Sequence, residues 1–186
     1  MTYALINTAG EILRTQDFDA APQLAASKGL RWVPANPPAY SDATQTCAPI
    51  TPVTGEAVTY LVENIPLATI KTTTIAKVES CARQVRDQIV AGISPAEMAS
   101  WPIKRAEALA YQSSSNAADA PNLAAEATAR GVSLTVLAEK VLAKAAILAG
   151  LEARIAGNTG KHNDAIGALT AAAAVLAYDY SAGWPA

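Results

Sequence analysis

Lys104, Arg105, Glu107 and Tyr111 crowd into the segment "SPAEMASWPIKRAEALAYQ", where an ammonium, a carboxylate and a phenol could in principle share proton-transfer chemistry. No nucleophile or orienting group stands beside them, so the segment reads as a corner between two helices. His162 is the only histidine, and any Ser-His or Cys-His mechanism must run through it. Its neighbour Asp164 is two residues on, a spacing that points the two side chains apart on a helix. His162 therefore reads as a structural or surface residue. With no second histidine, a metal site of the usual kind has no ligand set.

"GNTGK" has part of a phosphate-loop pattern but lacks the earlier glycine and the preceding strand that would make one. Asp17 with Asp19, and Glu152 with Asp164, are carboxylate pairs with no context to lift them above solvated surface. Cys47 and Cys81 have no CxxC partner and read as small, buried or half-buried thiols. No catalytic, cofactor-binding or metal-binding residue is assigned, and the chain reads as a non-enzyme without a cofactor.

The charge balance narrows the partners. A net charge of −2 and a pI near 5.4, with no stripe of Lys or Arg, exclude the phosphate-neutralising surface that nucleic acid or an anionic membrane requires. No run approaches the ~20 apolar residues of a membrane span. The opening "MTYALINTAGEILRTQ" has neither the basic start nor the apolar run of an export signal, which implies folding in a cytoplasm. Hydrophobic residues make up 51% of the chain, but many are alanine and only 5% are aromatic, a composition that favours closely packed helices.

These residues must be positioned by two different kinds of structure. Seven of the eleven prolines precede Thr69, between β-branched or aromatic runs, and alanine-rich helical spacing follows it. The expectation is an α+β chain: a small antiparallel β domain over 1–68, then a helical domain over 69–186. "TYALIN" and "EILRT" suit a hairpin, "GLRWVPA" a third strand, and "TQTCAPI" and "EAVTYLVENI" a fourth and fifth in one sheet. In "TIAKVESCARQVRDQIVAGI", Ile75, Val78, Ala82, Val85 and Ile89 share one helical face, and Gly92 ends the helix.

Ser94 is expected to cap a short helix that starts at Pro95 and stops before Pro102, with the proline opening the next helix. Trp101 then fills the corner. Ile103, Ala106 and Ala110 face inward, and Lys104 and Glu107 form a solvated pair. Pro121 starts a further helix, which Gly131 closes, and Ser133 caps the last long stretch.

In that stretch Leu137, Val141, Ala145, Leu148, Leu151, Ile155, Thr159, His162, Ile166 and Leu169 make one stripe at about 3.6 residues per step. Unbroken, residues 134–169 would span ~54 Å, which demands a neighbouring chain or a break. Gly150, Gly157, Gly160 and Gly167 leave both open: "GNTGKHND" is the weakest point of the helix, and the pairs 150/157 and 160/167, each seven apart, suit the close approach of a partner helix. Tyr178, Tyr180 and Trp184 make the tail "AYDYSAGWPA" a segment expected to dock, first on its own helices.

The segments "MTYALINTAGEILRT", "GLRWVPANPPAYSD", "EMASWPIKRAEALAYQ", "APNLAAEATARGVSLTVLAEKVLAKAAIL" and "EARIAGNTGKHNDAIGAL", with "GWP" near the end, together resemble small proteins encoded beside tail-fibre genes in tailed bacteriophages. The resemblance covers most of the chain. It takes in tail-fibre assembly proteins and phage tail proteins with a similar C-terminal helical domain. It implies a structural or assembly role at the tail fibre or baseplate, either as a virion component or as a chaperone of fibre subunits in the host cytoplasm. Self-association through the long helix, in its sharpest form as a trimer, is expected. The alternative is a receptor- or glycan-binding module using Trp32, Tyr40 and Trp184.

Overall fold

A computed structural model describes residues 1–20, 22–23 and 29–185. The chain is α+β, with small antiparallel sheets first and helices after. It divides into two compact units, Met1–Thr72 with Thr170–Ala177, and Thr73–Leu169 with Tyr178–Ala186.

In the first unit, β1 (Thr2–Ile6) is the central strand, flanked by β2 (Ile12–Asp17) and β3 (Arg31–Pro34), both antiparallel to it. Its residues alternate faces, yet Tyr3, Ala4, Leu5 and Ile6 are all buried because both faces are covered. Ala4 and Ile6 meet Val33, Ala35, Val53 and Val58 in the core. On the aromatic side, Phe18 packs edge-on against Tyr3 and Trp32. In the β1–β2 turn Gly10 has a φ of +78°, and a Cβ there would sit 2.7 Å from the Val53 carbonyl. Only glycine fits both demands.

β4 (Gln45–Pro49) and β5 (Tyr60–Asn64) pair with each other in a second sheet, so the single sheet expected from the sequence is two. Both edges of β1 are taken, and β3 is four residues long and ends on a proline, which leaves little ladder for a further strand. Isolated hydrogen bonds make the link instead, from the Val58 amide to the Pro34 carbonyl and from the Tyr60 hydroxyl to the Ala35 carbonyl.

Helix α1 (Leu67–Ile89) starts seven residues ahead of the expected position, directly after Pro66. Its β-branched threonines carry little helix propensity, but Thr74 and Ile70 are buried and Thr72 Oγ1 donates to the Ala68 carbonyl. The expected face is correct: Val78 and Ala82 are buried, and Ile75, Val85 and Ile89 half-buried. The chain turns at Gly92, where φ is +80°.

Helix α2 (Pro95–Ser114) corrects the expected corner, because it runs through Pro102 without ending. Ser94 caps it, its hydroxyl accepting from the Glu97 amide. Proline offers no N–H to the carbonyl four residues back, a cost of about 3 kcal/mol in a helix interior. Contacts on the C-terminal side of the proline offset that cost, with Ala108 fully buried and Lys104 and Glu107 bonded across to the next helix. Near the break, Ser100 Oγ donates to the Glu97 carbonyl.

A polar loop with one 3₁₀ turn (Ala117–Asp119) leads to α3 (Pro121–Arg130), closed by Gly131 at φ +63° as expected. Ser133 caps α4 (Leu134–Ala168). α4 is 35 residues without a break, about 52 Å at 1.5 Å per residue, so of the two alternatives the sequence leaves open at "GNTGKHND" the unbroken helix is the one observed. All ten residues of its predicted stripe are buried or half-buried. The core shared by α2, α3 and α4 is alanine and leucine: Ala108, Ala120, Leu123, Ala127, Leu137 and Ala138. A short α5 (Ala172–Leu176) belongs to the first unit.

Candidate functional site

Lys104, Glu107 and Tyr111 recur at helical spacing on one face of α2, and that face is the inner one. The expected inward residues, Ile103, Ala106 and Ala110, are exposed, Ile103 by 55%. The expected solvated pair of Lys104 with Glu107 is also corrected, for each has a different partner. Lys104 Nζ lies 2.8 Å from Glu126 Oε2, and Glu126 is held from its other side by Arg130 at 2.9 Å. The Lys104 hydrogen bond, ahead of opposing partial burial, lowers the Glu126 carboxyl below its usual range.

Glu107 has a more specific task. Ala120, which precedes α3, has no side-chain oxygen to cap it. The Glu107 carboxylate supplies that cap from α2, accepting from the Leu123 amide at 2.8 Å and from Asn122 Nδ2. A negative charge is favoured at a helix N-terminus, where the first amides have no partners within the helix. Partial burial pushes the Glu107 carboxyl up, but the Leu123 and Asn122 hydrogen bonds outweigh it and the net shift is downward. Tyr111 completes the row through its hydroxyl, 3.1 Å from Thr135 Oγ1. These groups are joined into a three-helix seam, with their lone pairs and charges already engaged.

His162 forms a second constellation. It is 5% exposed on α4, and the tail closes over it. Nδ1 is 2.8 Å from the Tyr178 hydroxyl, and Nε2 is 3.1 Å from the Ala182 carbonyl. Nε2 also lies 3.3 Å from Asn158 Nδ2, but its shorter contact is to a carbonyl, which only accepts; with the hydrogen on Nε2 in the singly protonated ring, the Tyr178 hydroxyl donates to Nδ1. Asn158 Nδ2, one turn earlier, donates to the same carbonyl at 3.1 Å. The Trp184 ring lies over the imidazole with centroids 5.7 Å apart, and its Nε1 donates to the Tyr180 carbonyl. Gly183 has a φ of +88°, and a Cβ there would fall 2.6 Å from Asn158 Oδ1. Asp179 shapes the turn by accepting from the Ser181 hydroxyl and amide, and those two bonds lower its carboxyl. The tail thus docks on its own helix through Tyr178 and Trp184.

The other singled-out residues stay apart. Asp17 accepts from Thr2 Oγ1, and Glu152 accepts from Nε and Nη2 of Arg86. Asp19 and Asp164 are exposed, and Cys47 and Cys81 are half-buried. Arg14 covers the face of Trp32 at 5.3 Å, and Tyr40 is 40% exposed. Concavities of about 310 Å³ beside Thr8, Gly29 and Arg31, and about 590 Å³ beside Thr46, Glu63 and Pro66, lie in the first unit, and neither is lined by His162 or Glu107. Among the described residues no three His, Cys, Asp or Glu side chains gather as metal ligands, and no helix is long and apolar enough to cross a membrane.

The outward side of α4 is open along its length. Ile147 is 63% exposed and Val136 40%, and a Cβ added at Gly150, Gly157 or Gly160 would meet nothing within 4 Å. Comparison with protein-family models, with curated proteins and with solved structures finds no match.

Proposed function

We propose that the chain is a structural or assembly protein of a bacteriophage tail, associated with the tail fibre or baseplate and acting through protein–protein contact. The observation that carries this reading is α4, about 52 Å of unbroken helix with an apolar stripe inward and an exposed side where alanine, glycine and Ile147 stand among charged residues such as Glu139, Arg154 and Lys161. An extended face of small residues suits docking along another long element. The side chains with chemical potential are consistent with it. Lys104, Glu107, Arg86 and His162 are each engaged in holding helices or the tail together. The sequence resemblance to tail-fibre-associated proteins supplies the biological setting.

Within that setting the chain either remains on the virion tail or assists fibre assembly in the host cytoplasm and leaves. Washed particles decide between them: a stoichiometric band at 19.2 kDa identifies a virion component, and its absence alongside loss of fibres in a deletion phage identifies an assembly factor. Intact, infectious particles from the deletion phage refute both. A receptor- or glycan-binding module is the second reading, resting on the exposed ring of Tyr40. Binding of the isolated protein to a glycan array, lost in Tyr40→Ala, is its test.

A further inference from the structure

We propose that the outward face of α4 pairs with the same face of a second copy of this chain, antiparallel, about a two-fold axis at Gly150. The proposal rests on the reading of the chain as a protein that acts by protein contact, and it names one partner.

The inner stripe of α4, from Leu137 to Leu169, is occupied by the chain's own structure. On the opposite side, at about 100° per residue, Glu139, Ala143, Gly150, Gly157 and Lys161 fall within about 20° of a line through Gly150. All five are exposed. Their order is symmetric in size and antisymmetric in charge. Ala143 and Gly157 are each seven residues from Gly150, and Glu139 and Lys161 each eleven.

An isologous contact requires that residue i of one copy meet j of the other while j meets i. Antiparallel pairing centred on Gly150 therefore sets Glu139 of each copy against Lys161 of the other, twice. Ala143 meets Gly157, and Gly150 meets itself where the missing Cβ lets the axes come close. Ile147, 63% exposed, lies about 60° from that line and Arg154, also exposed, about 40° on the same side, so the two-fold sets the aliphatic stem of Arg154 of the other copy against Ile147. Neither Glu139 nor Lys161 has an ion-pair partner among the described residues, so both charges are free to serve this contact. A parallel pair or a three-fold parallel bundle would instead set Glu139 beside Glu139 and Lys161 beside Lys161, with like charges adjacent. This face thus favours a dimer over the trimer expected from the sequence.

The test uses the full chain with Cys47→Ser and Cys81→Ser, by sedimentation equilibrium and oxidative cross-linking. The expected mass is twice 19.2 kDa. Gly150→Cys should oxidise to a covalent dimer, while Gly157→Cys should not, because its counterpart lies fourteen residues away, about 21 Å along the helix. Glu139→Lys should weaken the dimer about ten-fold or more, and adding Lys161→Glu should return the affinity to within about three-fold. A chain that stays monomeric at ~100 µM overturns the pairing, as does equal cross-linking at 150 and 157 or a double reversal that restores nothing. Each such result leaves the tail assignment intact, since that is decided by the washed particles.

Discussion

The hydroxyl of Tyr178 lies 2.8 Å from Nδ1 of His162, sixteen residues earlier in the chain, and this bond fastens the C-terminal tail to α4. The imidazole is closed on one side by Trp184 and on the other nitrogen by the Ala182 carbonyl, leaving Nδ1 with Tyr178 as its donor.

Tyr178→Phe removes that donor while keeping the ring. An unsatisfied buried acceptor costs about 1–3 kcal/mol, which for a chain of this length lowers Tm by about 3–10 °C. Amide exchange in residues 178–185 should accelerate more than in α3. Unchanged Tm together with unchanged exchange would show that the bond holds nothing in place.

Glu107 and Glu126 predict the acid side of the stability profile. Both carboxyls lie below their ordinary value of 4.5 in the folded chain, so the unfolded state binds more protons in that range. Their contribution is fully present above that ordinary value and is lost as pH falls through the depressed folded values. Tm should be flat near neutrality and drop on acidification past pH 4.5, and Glu107→Gln should flatten part of that drop. Glu107→Ala, which removes the α3 cap, should cost about 0.5–2 kcal/mol at pH 7. A profile identical in wild type and Glu107→Gln would contradict the capping role.

Much of the frame is legible in short stretches of sequence, because the determinants are local. Ser94 and Ser133 cap, Gly131 closes α3, and the stripe from Leu137 to Leu169 has the helical repeat. The candidate groups are less legible. The inner face of α2 is polar, and its partners Glu126, Asn122 and Thr135 come from helices the spacing of α2 cannot report. Apolar periodicity picked Ile103, Ala106 and Ala110, the face that is in fact open. The latch on His162 depends on a turn at Gly183 that brings the tail back over α4, a long-range contact with only the aromatic content of the tail as its signal. Pro102 shows the same limit, since a helix-breaking propensity of one residue was outweighed by contacts made by the next turn.

Pro102→Ala restores the amide that the Met98 carbonyl lacks and removes the ring from an exposed site. The gain in helix energy exceeds the entropy returned to the unfolded chain, about 0.4–1 kcal/mol. Net stabilisation of about 2–2.6 kcal/mol is expected, read as a rise in the denaturant midpoint without a change in slope. A lower midpoint would mean that the proline sets a bend the α2 contacts require.

Gly150→Ala separates the stability of α4 from its association. A Cβ at Gly150 meets nothing within 4 Å in the single chain, so alanine should stabilise the helix by about 0.5–1 kcal/mol. The same Cβ would lie on the proposed two-fold axis, where the helices approach most closely, and should weaken self-association. Gly160→Ala is the control, for it is equally open but about 80° around the helix from Gly150. Both variants should therefore melt higher when dilute, and only Gly150→Ala should weaken the dimer in sedimentation. Equal association in the two variants would place the contact on some other face of α4.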